Sequence, residues 1–111
     1  MKNKVLQIIL SVFGLGLMLS TVTATEIQQL TIKNHQFHPA EITIPANTRV
    51  KLEISNQDAT PEEFESHSLH REKIIPGGST RTIYIGPLEA GTYEFYGEFN
   101  PKTAQGRIIV K

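Results

Sequence analysis

Beyond residue 24, apolar and polar positions alternate with a period of two. The runs are Leu30 and Ile32; Ile42 and Ile44; Val50, Leu52 and Ile54; Ile83 and Ile85; Tyr93 and Phe95; and Ile108 and Val110. Successive side chains of an extended chain point to opposite faces, so each run predicts a half-buried β-strand. Turn-forming residues separate the runs at Pro39-Ala40, Pro45-Ala46-Asn47, Asn56-Gln57-Asp58, Pro76-Gly77-Gly78, Gly86-Pro87 and Glu89-Ala90-Gly91. They recur too closely for connecting helices, and no apolar stripe at i, i+3, i+4 persists. An all-β antiparallel sandwich or barrel follows. The Pro76-Gly77-Gly78 turn is expected to close a hairpin. Asp58 to Lys73 is the irregular stretch: it mixes carboxylates and two histidines with only Phe64 and Leu69 as large apolar residues. It is expected to leave the sheet for part of its course and to carry function. Tyr84, Tyr93, Phe95, Tyr96 and Phe99 crowd the last strands and are expected mostly to pack in the core or across strands.

The first 24 residues break this pattern. Lys2 and Lys4 precede an apolar run from Val5 to Leu19, and Val22-Thr23-Ala24 closes the segment with small side chains at Val22 and Ala24. A basic start, an apolar run of roughly 15 residues and such a site make a cleavable signal peptide, whereas a membrane-spanning helix needs roughly 20 apolar residues. The expectation is an exported, periplasmic domain over 25–111 that begins near Thr25 and does not insert in the membrane after cleavage.

Composition narrows the chemistry. The chain has no cysteine, so neither disulfides nor thiolate ligands nor thiol catalysis is available, and the core must hold by packing. The formal charge of zero comes from 11 basic and 11 acidic residues; removing Lys2 and Lys4 with the signal leaves −2. Nothing in that balance points to nucleic acid or to an anionic membrane surface. Ser66, Ser68 and Ser79 lack a nucleophile-elbow glycine pattern, and Pro76-Gly77-Gly78 lacks the lysine and helix start of a phosphate loop. No enzyme activity is expected.

Several features in order resemble a cupredoxin: Phe37-His38-Pro39, Ile42-Thr43-Ile44-Pro45, Ser55-Asn56-Gln57-Asp58 before Pro61, Pro76-Gly77-Gly78, Gly91-Thr92-Tyr93-Glu94-Phe95, and Gly106 in a closing strand. The segments Asp58 to His67, Phe95 to Asn100 and Thr103 to Gly106 are similar to the EfeO-type cupredoxin-like group, exported proteins that accompany bacterial iron uptake. The resemblance implies an antiparallel Greek-key cupredoxin-like β-sandwich. It also implies partners among membrane iron permeases or other periplasmic metal-uptake components. In that family copper is held by a histidine after the first loop's proline and by cysteine, histidine and usually methionine in the last loop. Those positions fall here on Glu62, Gly97, Asn100 and Thr103 or Ala104. None retains the ligand, so blue-copper electron transfer is excluded.

On that fold, Glu62, Glu63, Glu65 and His67 from one loop face Glu98 and Asn100 from the other. Strand alternation puts Glu63, Glu65 and His67 on one face, with Phe64 turned to the core. Glu62, Glu63, Glu65, His67 and Glu98 are therefore the candidate metal ligands. Carboxylates with an imidazole suit iron, manganese, zinc or copper(II); the resemblance favours iron, with copper(II) next. Two other readings stay open: carboxylates paired with Arg71, Lys73 and Arg107, or a metal-free interaction module docking onto a transport partner through the acidic loop. His35 and His38, three apart, fall on opposite faces of a strand and are not expected to share an ion. His67 ranks above His70 because it continues the Glu63 and Glu65 register.

Overall fold

The structure is a computed structural model and describes residues 26–111. The export segment expected at 1–24 lies outside the described residues. Among the described residues nine strands follow one another: β1 (Glu26–Lys33), β2 (Gln36–His38), β3 (Glu41–Ile44), β4 (Val50–Asn56), β5 (Glu62–Ser66), β6 (Arg71–Ile75), β7 (Thr80–Ile85), β8 (Gly91–Gly97) and β9 (Gln105–Val110). They form two sheets, β2-β1-β4-β7 and β3-β9-β8-β5-β6. The alternating residues meet between the sheets: Leu30, Ile32, Ile42, Ile44, Val50, Leu52, Ile54, Ile83, Ile85, Phe95, Ile108 and Val110 are all buried. Phe64, also fully buried, packs on Phe95 with ring centroids 5.0 Å apart, and Phe37 meets Phe95 edge-on at 5.0 Å. Burial of one such ring contributes about 2 kcal/mol. Gly106 makes room for it, since a Cβ there would overlap the Phe95 ring.

The sheets are mixed rather than wholly antiparallel. β1 pairs in parallel with β4, from Glu26 opposite Val50 to Ile32 opposite Asn56, and β3 pairs in parallel with β9. Parallel neighbours need a crossover connection rather than a tight hairpin. Here β2 and β3 supply it, because the chain leaves the first sheet after β2, joins the second as β3 and returns as β4.

The Asp58 to Lys73 stretch leaves the sheet for part of its course, at 58–61 and in the 67–70 turn, and its remaining residues belong to β5 and β6, a hairpin in register from Glu62 opposite Ile75 to Ser66 opposite Arg71. Backbone pairing outweighs the charged composition because only one face of the hairpin needs apolar residues. Pro76-Gly77-Gly78 does not close a hairpin; it carries the chain from β6 in one sheet to β7 in the other, and a Cβ on Gly77 would overlap the Ala59 carbonyl. Of the late aromatics Phe95 is in the core, Tyr93 packs against it and Tyr96 lies across from Glu65, while Tyr84 and Phe99 are 44% and 48% exposed. Tyr84 instead lies under the Arg49 guanidinium, 4.3 Å from the ring centre.

Two polar residues fix the mouth of the sandwich. The amide nitrogen of buried Asn56 donates to the carbonyls of Thr60 and Ile75 at 2.9 and 3.0 Å, and its oxygen accepts from the Asp58 N–H at 2.9 Å. This ties the end of β4 to both ends of the β5–β6 hairpin. The Asp58 carboxylate accepts from the Asn34 and His35 N–H groups at 2.8 and 2.9 Å. Asn34 and His35 are both left-handed, at φ 54° and 56°, and Asp58 caps the turn they make.

Candidate metal centre

β5 sends alternate side chains to opposite sides of the sheet. Glu62, Phe64 and Ser66 are buried; Glu63 and Glu65 stand on the outer face. Neighbouring strands complete two rows there. Glu65 lies opposite Glu72 of β6 and Tyr96 of β8, and the Glu98 N–H donates to the Glu63 carbonyl at 2.9 Å. One carboxylate oxygen from each of Glu63, Glu65 and Glu72 falls within 4.8 Å of the others. His67, in the turn after β5, places Nδ1 3.9 Å from Glu65 Oε1, and its Nε2 lies 3.2 Å from the Tyr96 hydroxyl.

Charge balance is missing at this cluster. None of the ion pairs among the described residues joins a lysine or arginine to Glu63, Glu65, Glu72 or Glu98. Arg71 donates to the Tyr84 and His70 carbonyls at 3.0 and 3.1 Å, and Arg107 pairs with Glu41 at 2.7 Å. Lys73 and Arg81 only border the cleft beside Glu63, Glu72 and Ile74. Loss of hydration, then the hydrogen bond and charge of Glu98, then the charges of Glu72 and Glu65 push the Glu63 carboxyl from 4.5 up to about 6. Glu65 is also raised, first by loss of hydration and then by the hydrogen bond and charge of Glu72, against a small lowering by His67. The Tyr96 phenol is raised by loss of hydration and by Glu98, Glu65 and Glu63. The Glu65 side chain is 12% exposed, and its Oε2 is buried without a hydrogen-bond partner.

Of the five ligands expected from sequence, Glu63, Glu65, His67 and Glu98 therefore gather on one face. Glu62 does not join them. It is 1% exposed on the inner side, where Oε1 accepts from the Glu63 and Phe99 N–H groups at 3.0 and 2.9 Å, and Oε2 accepts from the Asn100 side-chain amide at 2.7 Å. Glu72 joins without having been singled out; its signal in the sequence is its hairpin distance from Glu65. His35 stands apart at the Asp58 cap, whereas His70, left-handed at φ 53° in the β5–β6 turn, borders the cleft lined by Glu65, His67 and Glu72.

Residues 7–110 match the model of the cupredoxin-like domain, and the chain belongs to that family. It is 49% identical over 82 residues to an uncharacterized protein of Rickettsia prowazekii (strain Madrid E), covering 74% of this chain and 66% of that one, just under two thirds of the relative's length. Its fold is similar to auracyanin A, a blue copper protein of Chloroflexus aurantiacus (TM-score 0.69, 15% identity, covering 79% of this chain and all of the other). It is likewise similar to the metal-binding domain of the Cu(I)-exporting P-type ATPase of Streptococcus pneumoniae D39 (TM-score 0.68, 17% identity, 83% and 91% covered). A copper-binding protein in its apo form gives a TM-score of 0.70 at 16% identity, with 83% and 93% covered. These likenesses establish a fold shared with copper-binding proteins.

The positions that the sequence resemblance aligns with the family's copper ligands, Glu62, Gly97, Asn100 and Thr103 or Ala104, carry no thiolate, thioether or imidazole. Both oxygens of Glu62 already accept hydrogen bonds, and a Cβ at Gly97 would stand 2.6 Å from Glu62 Cδ and 2.6 Å from Ala104 Cβ.

Proposed function

We propose that this protein is an exported accessory of metal uptake that holds a transition-metal ion, iron or copper(II), on the outer face of the β3-β9-β8-β5-β6 sheet. Glu63, Glu65, Glu72 and Glu98 supply oxygen ligands and His67 one nitrogen. The observation that carries this reading is the buried, unpartnered Oε2 of Glu65 amid carboxylates that, among the described residues, pair with no lysine or arginine. Such an arrangement is costly as it stands, and a bound cation relieves it by replacing mutual repulsion with coordination. Tyr96 holds the far nitrogen of His67 and so orients the imidazole, as partners of metal-binding histidines do. Iron rests on the similarity to the EfeO-type group; copper(II) rests on the copper-binding proteins that share the fold. The receiving partner would be a membrane permease or another periplasmic component of the same uptake system.

Calorimetric titration of iron, copper(II) and zinc into the wild type and into E63Q, E65Q, E72Q and E89Q tests the reading. Each of the first three variants should weaken binding at least tenfold, and E89Q, in a turn away from the cluster, should not. Equal affinity in all five proteins, or no saturable binding of any ion, refutes it and leaves the acidic face as a docking surface.

A further inference from the structure

The inner side of β5 carries a second arrangement, independent of the outer cluster. A carboxylate buried to 1% exposure accepts three hydrogen bonds, and two of them come from the loop between β8 and β9. The same loop is closed on itself: Gly97 N–H donates to the Ala104 carbonyl at 2.8 Å and Ala104 N–H to the Asn100 carbonyl at 2.9 Å. Gly97 leaves the space that the Glu62 carboxylate fills, because a Cβ there would also stand 2.8 Å from Oε2. The sequence resemblance places the family's copper ligands at Glu62, Gly97, Asn100 and Thr103 or Ala104, so this arrangement lies where that resemblance puts the metal.

We propose that Glu62 acts in this chain, without metal, as a carboxylate lock that fastens the β8–β9 loop to β5 and closes the interior copper position. Glu62 and a side chain at position 97 then exclude one another, so the lock and an interior metal site are alternatives.

Two experiments test the lock, and neither depends on metal binding by the outer cluster. In the first, amide exchange is followed by NMR in the wild type, E62Q and E62A. The Phe99 N–H should exchange at least tenfold faster in E62A, while the Leu52 N–H of β4 keeps its protection. E62Q retains one oxygen acceptor but turns a donor towards one of its partners, so it should show a smaller acceleration. Should E62A fail to fold, E62Q alone decides. Equal Phe99 exchange in wild type and E62Q then refutes the lock, as does equal exchange in all three proteins. In the second, copper(II) is titrated into E63Q/E65Q/E72Q/E98Q, in which the four outer carboxylates are neutral. The Gly97, Phe99 and Ala104 amide signals should not broaden saturably; saturable broadening there would show an interior copper site and overturn the proposal.

Discussion

Replacing Gly97 by alanine probes the packing between the lock and the loop. The added Cβ would lie 2.6 Å from both Glu62 Cδ and Ala104 Cβ, well inside van der Waals contact. Overpacking of this kind costs about 1–3 kcal/mol. Displacing the carboxylate also strains its bonds to Asn100 and Phe99, and a hydrogen bond to a charged group is worth about 1.5–3 kcal/mol. A loss of about 3 kcal/mol is expected for G97A in the wild-type background. In an E62A background one of the two overlaps disappears and the Ala104 overlap remains, so G97A should cost only about half as much, a coupling of about 1.5 kcal/mol. Urea denaturation of the wild type, both single variants and the double variant measures it. With a slope of about 1 kcal/mol per molar for so small a chain, the coupling moves midpoints by about 1.5 M. G78A is the control. Its Cβ would meet nothing within 4 Å, and its φ of 68° makes alanine costly by about 1 kcal/mol on conformational grounds alone. That cost should add to E62A. Costs of G97A and E62A that add within about 0.5 kcal/mol would refute the packing account.

Two pH effects follow from the carboxylates. A carboxyl raised in the folded chain holds its proton more tightly there than when unfolded, so the contribution of Glu63 is most favourable below 4.5 and declines as pH rises from 4.5 to about 6. Thermal melts should show that decline in the wild type and less of it in E63Q; parallel profiles would contradict it. Metal affinity should rise over the same interval as protons leave the ligands. Asp58 runs the other way: the His35 N–H first and then the Asn34 N–H hold it below its usual 3.8, against some loss of hydration. Its contribution is present above 3.8 and is lost as pH falls through the lower folded value. D58N should speed exchange of the Asn34 and His35 amides several-fold, and unchanged exchange would remove Asp58 from its capping role.

Much of this protein was legible in one dimension because strand geometry is local. Period-two alternation named the core strands, and Leu30, Ile54, Phe64, Ile108 and their neighbours are buried where the alternation puts them. The same parity turned Glu63 and Glu65 outward together, and a sequence without cysteine offers no thiolate to any metal. Pairing between strands is not local. Only the hairpin register brought Glu72 beside Glu65, and only the return of the β8–β9 loop gave the inward-facing Glu62 two of its three donors. Arg71 and Arg107 looked like counter-ions in the sequence, but the sheet directs one to the Tyr84 carbonyl and the other to Glu41. Alternation fixes which face a side chain takes, because that depends on its own backbone; which groups meet on that face depends on chain segments far away in sequence, and tertiary structure alone decides it.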